Sequence, residues 1–149
     1  MDPLASLLRD SDAEVRMIVV HALGEIEDPA AATALGTALG DAAAEVRREA
    51  AWALGELEIS RAPVALVTAL GDSDREVRRN AAWALGEIED PASVAGLIPL
   101  LKDADFEVRE AALHALAEIR GQAAIEAIAD LLKDPDPRVR EKAAEALGE

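Results

Sequence analysis

The sequence predicts an all-α fold, a solenoid of antiparallel helix pairs with a 31-residue period, and three observations carry that prediction. A Val-Arg pair recurs at Val15-Arg16, Val46-Arg47, Val77-Arg78, Val108-Arg109 and Val139-Arg140, each step being 31. Leu23, Leu54, Leu85, Leu116 and Leu147 recur in the same register. Each full copy also carries the apolar periodicity of two short helices, and self-similarity at such a period marks stacked units that cannot bury their apolar faces alone.

Taken in order, residues 1–9 align Leu4 and Leu8 with Leu35 and Leu39, so the chain starts inside a second-type helix. Full repeats follow at 10–40, 41–71, 72–102 and 103–133, and 134–149 supplies the first helix of a further unit, all within a single repeat domain spanning 1–149. Solenoids normally close their ends with polar caps. Arg140, Glu141, Lys142 and Glu145 supply part of one, and the half-hairpin they sit on is expected to favour end-to-end or face-to-face association of copies.

The repeat 72–102 shows the design of the others. Val77, Ala81, Ala84, Leu85 and Ile88 fall at offsets of 0, 4, 7, 8 and 11, one apolar stripe of a 3.6-residue helix. Ser73 with Glu76, like Ser11 with Glu14, reads as a capping box ahead of that helix. Asp90-Pro91, like Asp28-Pro29, marks the second helix: the aspartate caps free amides, and proline at the first helical position loses no needed donor. The second helix buries Val94, Leu97, Leu100 and Leu101.

Three departures interrupt the pattern. Ile59-Ser60 replaces Asp-Pro, with Pro63 expected in the first turn of a shifted helix. Pro99 removes an amide donor late in its helix and is expected to bend or loosen it. Arg120-Gly121-Gln122 replaces another Asp-Pro turn, and Ala117 stands where Gly24, Gly55, Gly86 and Gly148 occupy the other copies.

The string D-x-D-x-E-V-R-x-x-A-A-x-A-L-G-E-I-x-D-P resembles HEAT-like repeats of the phycobilisome-lyase type over nearly the whole chain. That resemblance implies a HEAT-like α-solenoid, a right-handed superhelix whose first helices line the concave side. Similar repeats occur in bilin lyases, in deoxyhypusine hydroxylase and in many interaction proteins, so the likeness narrows structure more than activity.

Composition sets further bounds. The chain has 149 residues, and 15 basic against 30 acidic side chains give a formal net charge of −15. Phosphate binding draws on clustered Lys and Arg, so nucleic acid and anionic membranes are disfavoured as partners, and a basic peptide or protein face is the better match. With no cysteine, disulfides, thiol catalysis and thiolate metal sites are excluded. Met1-Asp2-Pro3 lacks the basic start of an export signal, and no apolar run approaches the ~20 residues of a membrane span, so a soluble, cytoplasmic protein is expected.

The informative position is the sixth after the repeated valine: His21, Trp52, Trp83, His114 and Glu145. Six steps of ~100° place Trp83 off the buried stripe, on a face shared with Glu76, Asn80 and Glu87. Stacking at ~8–10 Å per repeat makes Trp52 and Trp83 neighbours. Their rings either bury themselves over neighbouring stems or form a binding hot spot, since Trp combines large area with one donor. The second reading takes Arg48, Glu49, Arg79, Asn80, Glu56 and Glu87 as rim, with His21 and His114 on the same face and Phe106 as an outlying apolar contact.

His21 and His114 lie three repeats apart, roughly 25–30 Å at that spacing, too far to share a metal. The His-Glu pairs of deoxyhypusine hydroxylase follow the Val-Arg step; here Met17-Ile18, Arg48-Glu49, Arg79-Asn80, Glu110-Ala111 and Glu141-Lys142 follow it, without histidine. The ladder Arg16, Arg47, Arg78, Arg109 and Arg140 runs in step with Asp10, Asp41, Asp72, Asp103 and Asp134, which points to Asp–Arg pairing between repeats. No nucleophile with an adjacent base and no phosphate loop is present, so neither catalysis nor a cofactor nor a metal is expected. The first expectation is a non-enzymatic scaffold that binds protein or peptide on its concave face. Its alternatives are a bilin-lyase-like subunit that cradles a tetrapyrrole or its acceptor protein, and an engineered or excised repeat scaffold or oligomer building block without a ligand.

Overall fold

The computed structural model describes residues 3–148, and no strand occurs among them. The helices in order are α1 (Pro3–Ser6), α2 (Ala13–Glu25), α3 (Ala32–Ala38), α4 (Ala44–Glu56), α5 (Val64–Thr68), α6 (Arg75–Ile88), α7 (Val94–Leu97), α8 (Phe106–Ile119), α9 (Gln122–Asp130) and α10 (Pro137–Gly148). Even-numbered helices are the first helices of the repeats. They stack as one ridge, α2 on α4, α4 on α6 and α6 on α8, while the odd-numbered helices form a second layer whose members touch each other far less.

The core runs between the layers. Leu54, Leu85 and Leu116, which share one repeat position, are fully buried, as are Val46, Val77 and Val108. Val94, Leu97, Leu100 and Leu101 are buried as well, so both faces expected from the apolar spacing are covered.

Glycine permits the tight ridge. A methyl group at Gly24 would sit 2.9 Å from Ala53 Cβ, and one at Gly86 would sit 2.9 Å from the backbone Cα of Ala115. Neither contact could be relieved by a side-chain rotation alone.

Arginine staples tie consecutive repeats together. Arg16 donates from Nε and Nη2 to the Asp41 carboxylate at 2.7 and 2.9 Å, and from Nη1 to the Asp10 carbonyl at 2.7 Å. Arg47 bridges Asp72 and the Asp41 carbonyl in the same way, and Arg78 bridges Asp103 and the Asp72 carbonyl. Each receiving aspartate accepts the N–H two residues on, from Ala43, Asp74 or Asp105. The fork geometry and partial burial make these the strong class of side-chain hydrogen bond.

The fourth rung expected from the sequence is missing among the described residues. Arg109 donates to the carbonyls of Asp103 and Ala104 and lies over the Phe106 ring, 5.6 Å from its centroid. The Asp134 carboxylate keeps the bond from the Asp136 N–H but, among the described residues, receives no guanidinium, and Arg140 donates to the carbonyls of Asp134 and Pro135. Two sequence changes coincide with the break. Ala117 replaces the close-approach glycine, and the turn before α9 runs through Arg120 at φ 63° and Gly121 at φ 88° in place of Asp-Pro. Helix α10 packs on α9 and on the turn Leu131–Lys133 more than on α8. A cleft lined by Phe106, Arg109, Leu113 and Val139 opens between α8 and α10.

Two local expectations change, and a third holds. The cap of α6 is Asp74, in extended backbone at φ −86°, whose carboxylate accepts from the N–H groups of Glu76 and Val77. Asp12 likewise caps α2. The serines expected in that role, Ser73 and Ser11, stand one residue outside it, because the aspartate occupies the position with cap geometry. Pro63 is the cap residue of α5, ahead of its first turn. The missing Asp-Pro bond there is replaced from the next repeat: Asp90 accepts the Ala62 N–H at 2.9 Å while also capping Ala92 at 3.0 Å. Pro99 acts as anticipated, since α7 stops at Leu97 and the chain continues as a 3-10 turn over Ile98–Lys102.

Candidate functional site

On the first-helix ridge, positions two, three and six after Val46, Val77 and Val108 come together on one face. They line a trough of about 890 Å³ across α4, α6 and α8, with His21 of α2 at one end and His114 of α8 at the other. Its floor is aromatic. The rings of Trp52 and Trp83 stack with centroids 4.3 Å apart and planes 12° from parallel. Trp83 is half-buried and lies back across Gly55, where a methyl group would collide with its ring. Trp52 rests on Trp83 and stays 44% exposed. One tryptophan is thus part of the structure and the other is presented by it.

Ion pairs between neighbouring repeats fix the walls. Arg48 forks onto Asp74, with Nε–Oδ1 at 3.0 Å, and its Nη1 lies 3.4 Å from Glu76 Oε2. Arg79 Nη1 meets Glu107 Oε2 at 2.6 Å. Asn80 donates from Nδ2 to the Arg48 carbonyl at 3.1 Å. The Arg48 guanidinium, aided by the Val77 and Glu76 amides and opposed by desolvation, holds the Asp74 carboxyl far below the usual carboxylate range. His21 Nδ1 lies 2.7 Å from Glu49 Oε1 and Nε2 3.8 Å from Glu25 Oε1, and the Glu49 bond raises the imidazole above its ordinary value.

The trough brings together His21, Arg48, Glu49, Trp52, Arg79, Asn80, Trp83 and His114. Glu56 and Glu87 are exposed but lie outside it, further along their helices. Phe106 faces the α8–α10 cleft instead, because it starts α8 two residues before the repeated valine and so leaves the groove face. Glu107, Glu110 and Ala111 also line the trough and are new to the set. Register could have found the last two, since Glu110 and Ala111 match Arg79 and Asn80 one repeat on. No group of three or more metal-binding side chains occurs among the described residues, and no described helix is long and apolar enough to cross a membrane.

Among sequence families, HEAT repeats match residues 1–55, 34–103 and 94–149. The chain belongs to the HEAT-repeat family. No curated protein matches it. Among solved structures, this HEAT-repeat chain is similar to one in the CpcE–CpcF complex of phycocyanin lyase from Nostoc sp. PCC7120, at 31% identity and a TM-score of 0.80. The match covers 97% of this chain and 62% of that one, so the repeats here span less than two thirds of the lyase chain. A designed armadillo repeat protein in complex with the peptide (KR)4 is 27% identical with a TM-score of 0.76, covering 98% of this chain and 80% of that one. An engineered protein of similar fold is 30% identical with a TM-score of 0.68, covering 97% and 76%.

Proposed function

We propose that this HEAT-repeat chain is a binding scaffold that takes a peptide or protein surface of basic character along its first-helix ridge, as the concave face of the solenoid. The observation that carries the reading is the stacked tryptophan pair flooring the trough, with Trp52 exposed at 44% on rigid helices. An exposed indole backed by a second ring presents apolar area without the ordering cost of a mobile side chain. The net charge of −15 favours a cationic partner and steers its approach. Titration against a random peptide library, read by tryptophan emission, tests this. Binders are expected to perturb emission and to lose about tenfold or more in affinity on Trp52→Ala. Binders that leave emission and the Trp52→Ala affinity unchanged would sink the groove reading.

The likeness to phycocyanin lyase at 31% identity supports a second reading, a subunit that cradles a tetrapyrrole or its acceptor protein. Mixing with a free bilin separates the two. A shifted visible spectrum that depends on Trp52 favours the lyase-like role, and an unchanged spectrum removes it.

A further inference from the structure

We infer that the α8 end of the trough, between Trp83, Glu110, Ala111 and His114, is a subsite for one lysine or arginine side chain of the partner; this rests on the groove reading above. The cations of the trough already have partners. Arg48 is held by Asp74 and Glu76, Arg79 by Glu107, and His21 is bonded to Glu49. Glu110 is half-buried, and among the described residues its carboxylate has no hydrogen bond or ion pair. A carboxylate that has lost part of its hydration without gaining a donor binds an incoming cation more strongly than one on open surface.

Shape agrees with charge. Ala111 stands in register with Glu49 and Asn80, so a side chain that fills the preceding repeats is absent here. Trp83 leans toward α4 and rests on Gly55, but His114 does not repeat that posture, since the nearest atoms to Gly86 belong to Ala115. Space therefore remains on the α8 side of Trp83. A long aliphatic stem can lie along the indole while its charged head reaches Glu110, which is how Lys and Arg side chains cover apolar surface.

The test is anisotropy of fluorescein-labelled (KR)4 titrated with the full chain at physiological salt. Glu110→Gln is expected to weaken binding about tenfold, and Ala111→Leu to weaken it by filling the space, with both variants melting as the parent does. Glu58→Gln, which removes one charge in the exposed turn after α4, is expected to leave binding unchanged. The subsite is overturned if the parent does not bind (KR)4, if Glu110→Gln stays within twofold of the parent, or if Glu58→Gln loses as much. Loss on Trp52→Ala with none on Glu110→Gln would overturn the subsite and keep the groove. No loss on either would remove both.

Discussion

The junctions α2–α4, α4–α6 and α6–α8 differ from the junction α8–α10 in two identifiable residues' worth of chemistry. Each of the first three combines a glycine that lets helices touch with an arginine that forks onto the next aspartate. The last has Ala117 in place of the glycine, and Arg109 does not reach Asp134. The Val-Arg and Leu positions persist throughout, so apolar register alone does not draw repeats into close contact. Close approach and the staple act together: only where the helices nearly touch does the guanidinium span the gap.

Leucine truncation should break the comparison most sharply. Leu85→Ala, at a fully buried position, is expected to cost about 3–4 kcal/mol in urea unfolding, while Leu147→Ala, at the matching position but 37% exposed, should cost under ~1 kcal/mol. Equal losses would show that α10 is packed as tightly as α6. Next in size, Arg78→Ala removes a forked, mostly buried pair and should cost about 2 kcal/mol, against roughly 1 kcal/mol for Arg109→Ala, which has no carboxylate to orphan. Gly86→Ala gains ~1 kcal/mol of helix propensity yet should still destabilise by about 1–2 kcal/mol, because its methyl meets backbone. A stabilised Gly86→Ala would refute close approach as the reason for glycine.

The smallest effect is electrostatic. His21 has its folded-state value raised by Glu49, so the bond contributes stability that is complete below the unfolded value near 6.5 and is lost as pH rises through the folded value. The imidazole proton resonances should titrate above that reference, and Glu49→Gln should lower the midpoint. A midpoint unmoved by Glu49→Gln would remove the pairing.

Much of this was legible because the period places chemically distinctive residues side by side. Trp52 and Trp83 could be put in contact from spacing alone, and the stripe from Val77 to Ile88 read directly as core. What the period hid was the effect of one absent hydrogen bond or one added methyl. Asp74 and Ser73 are adjacent candidates for the same cap, and only the extended backbone at Asp74 selects between them. Arg109 keeps the repeat's identity and loses its partner, since reach depends on helix spacing, which Ala117 and the Arg120-Gly121 turn alter. Glu110 and Ala111 stand in register with Arg79 and Asn80 and were open to that reading; what the period hid is the space beside them, which follows from the Trp83 ring leaning onto Gly55.

The stride of the first-helix ridge from α2 to α8 sets a ruler. With one repeat every ~8–10 Å and an extended chain advancing ~3.3 Å per residue, a strand laid along the trough passes one repeat for every two to three of its own residues. Motifs with that spacing would meet equivalent walls at each step, and adding or deleting a whole repeat would lengthen or shorten the legible phrase without changing its reading frame.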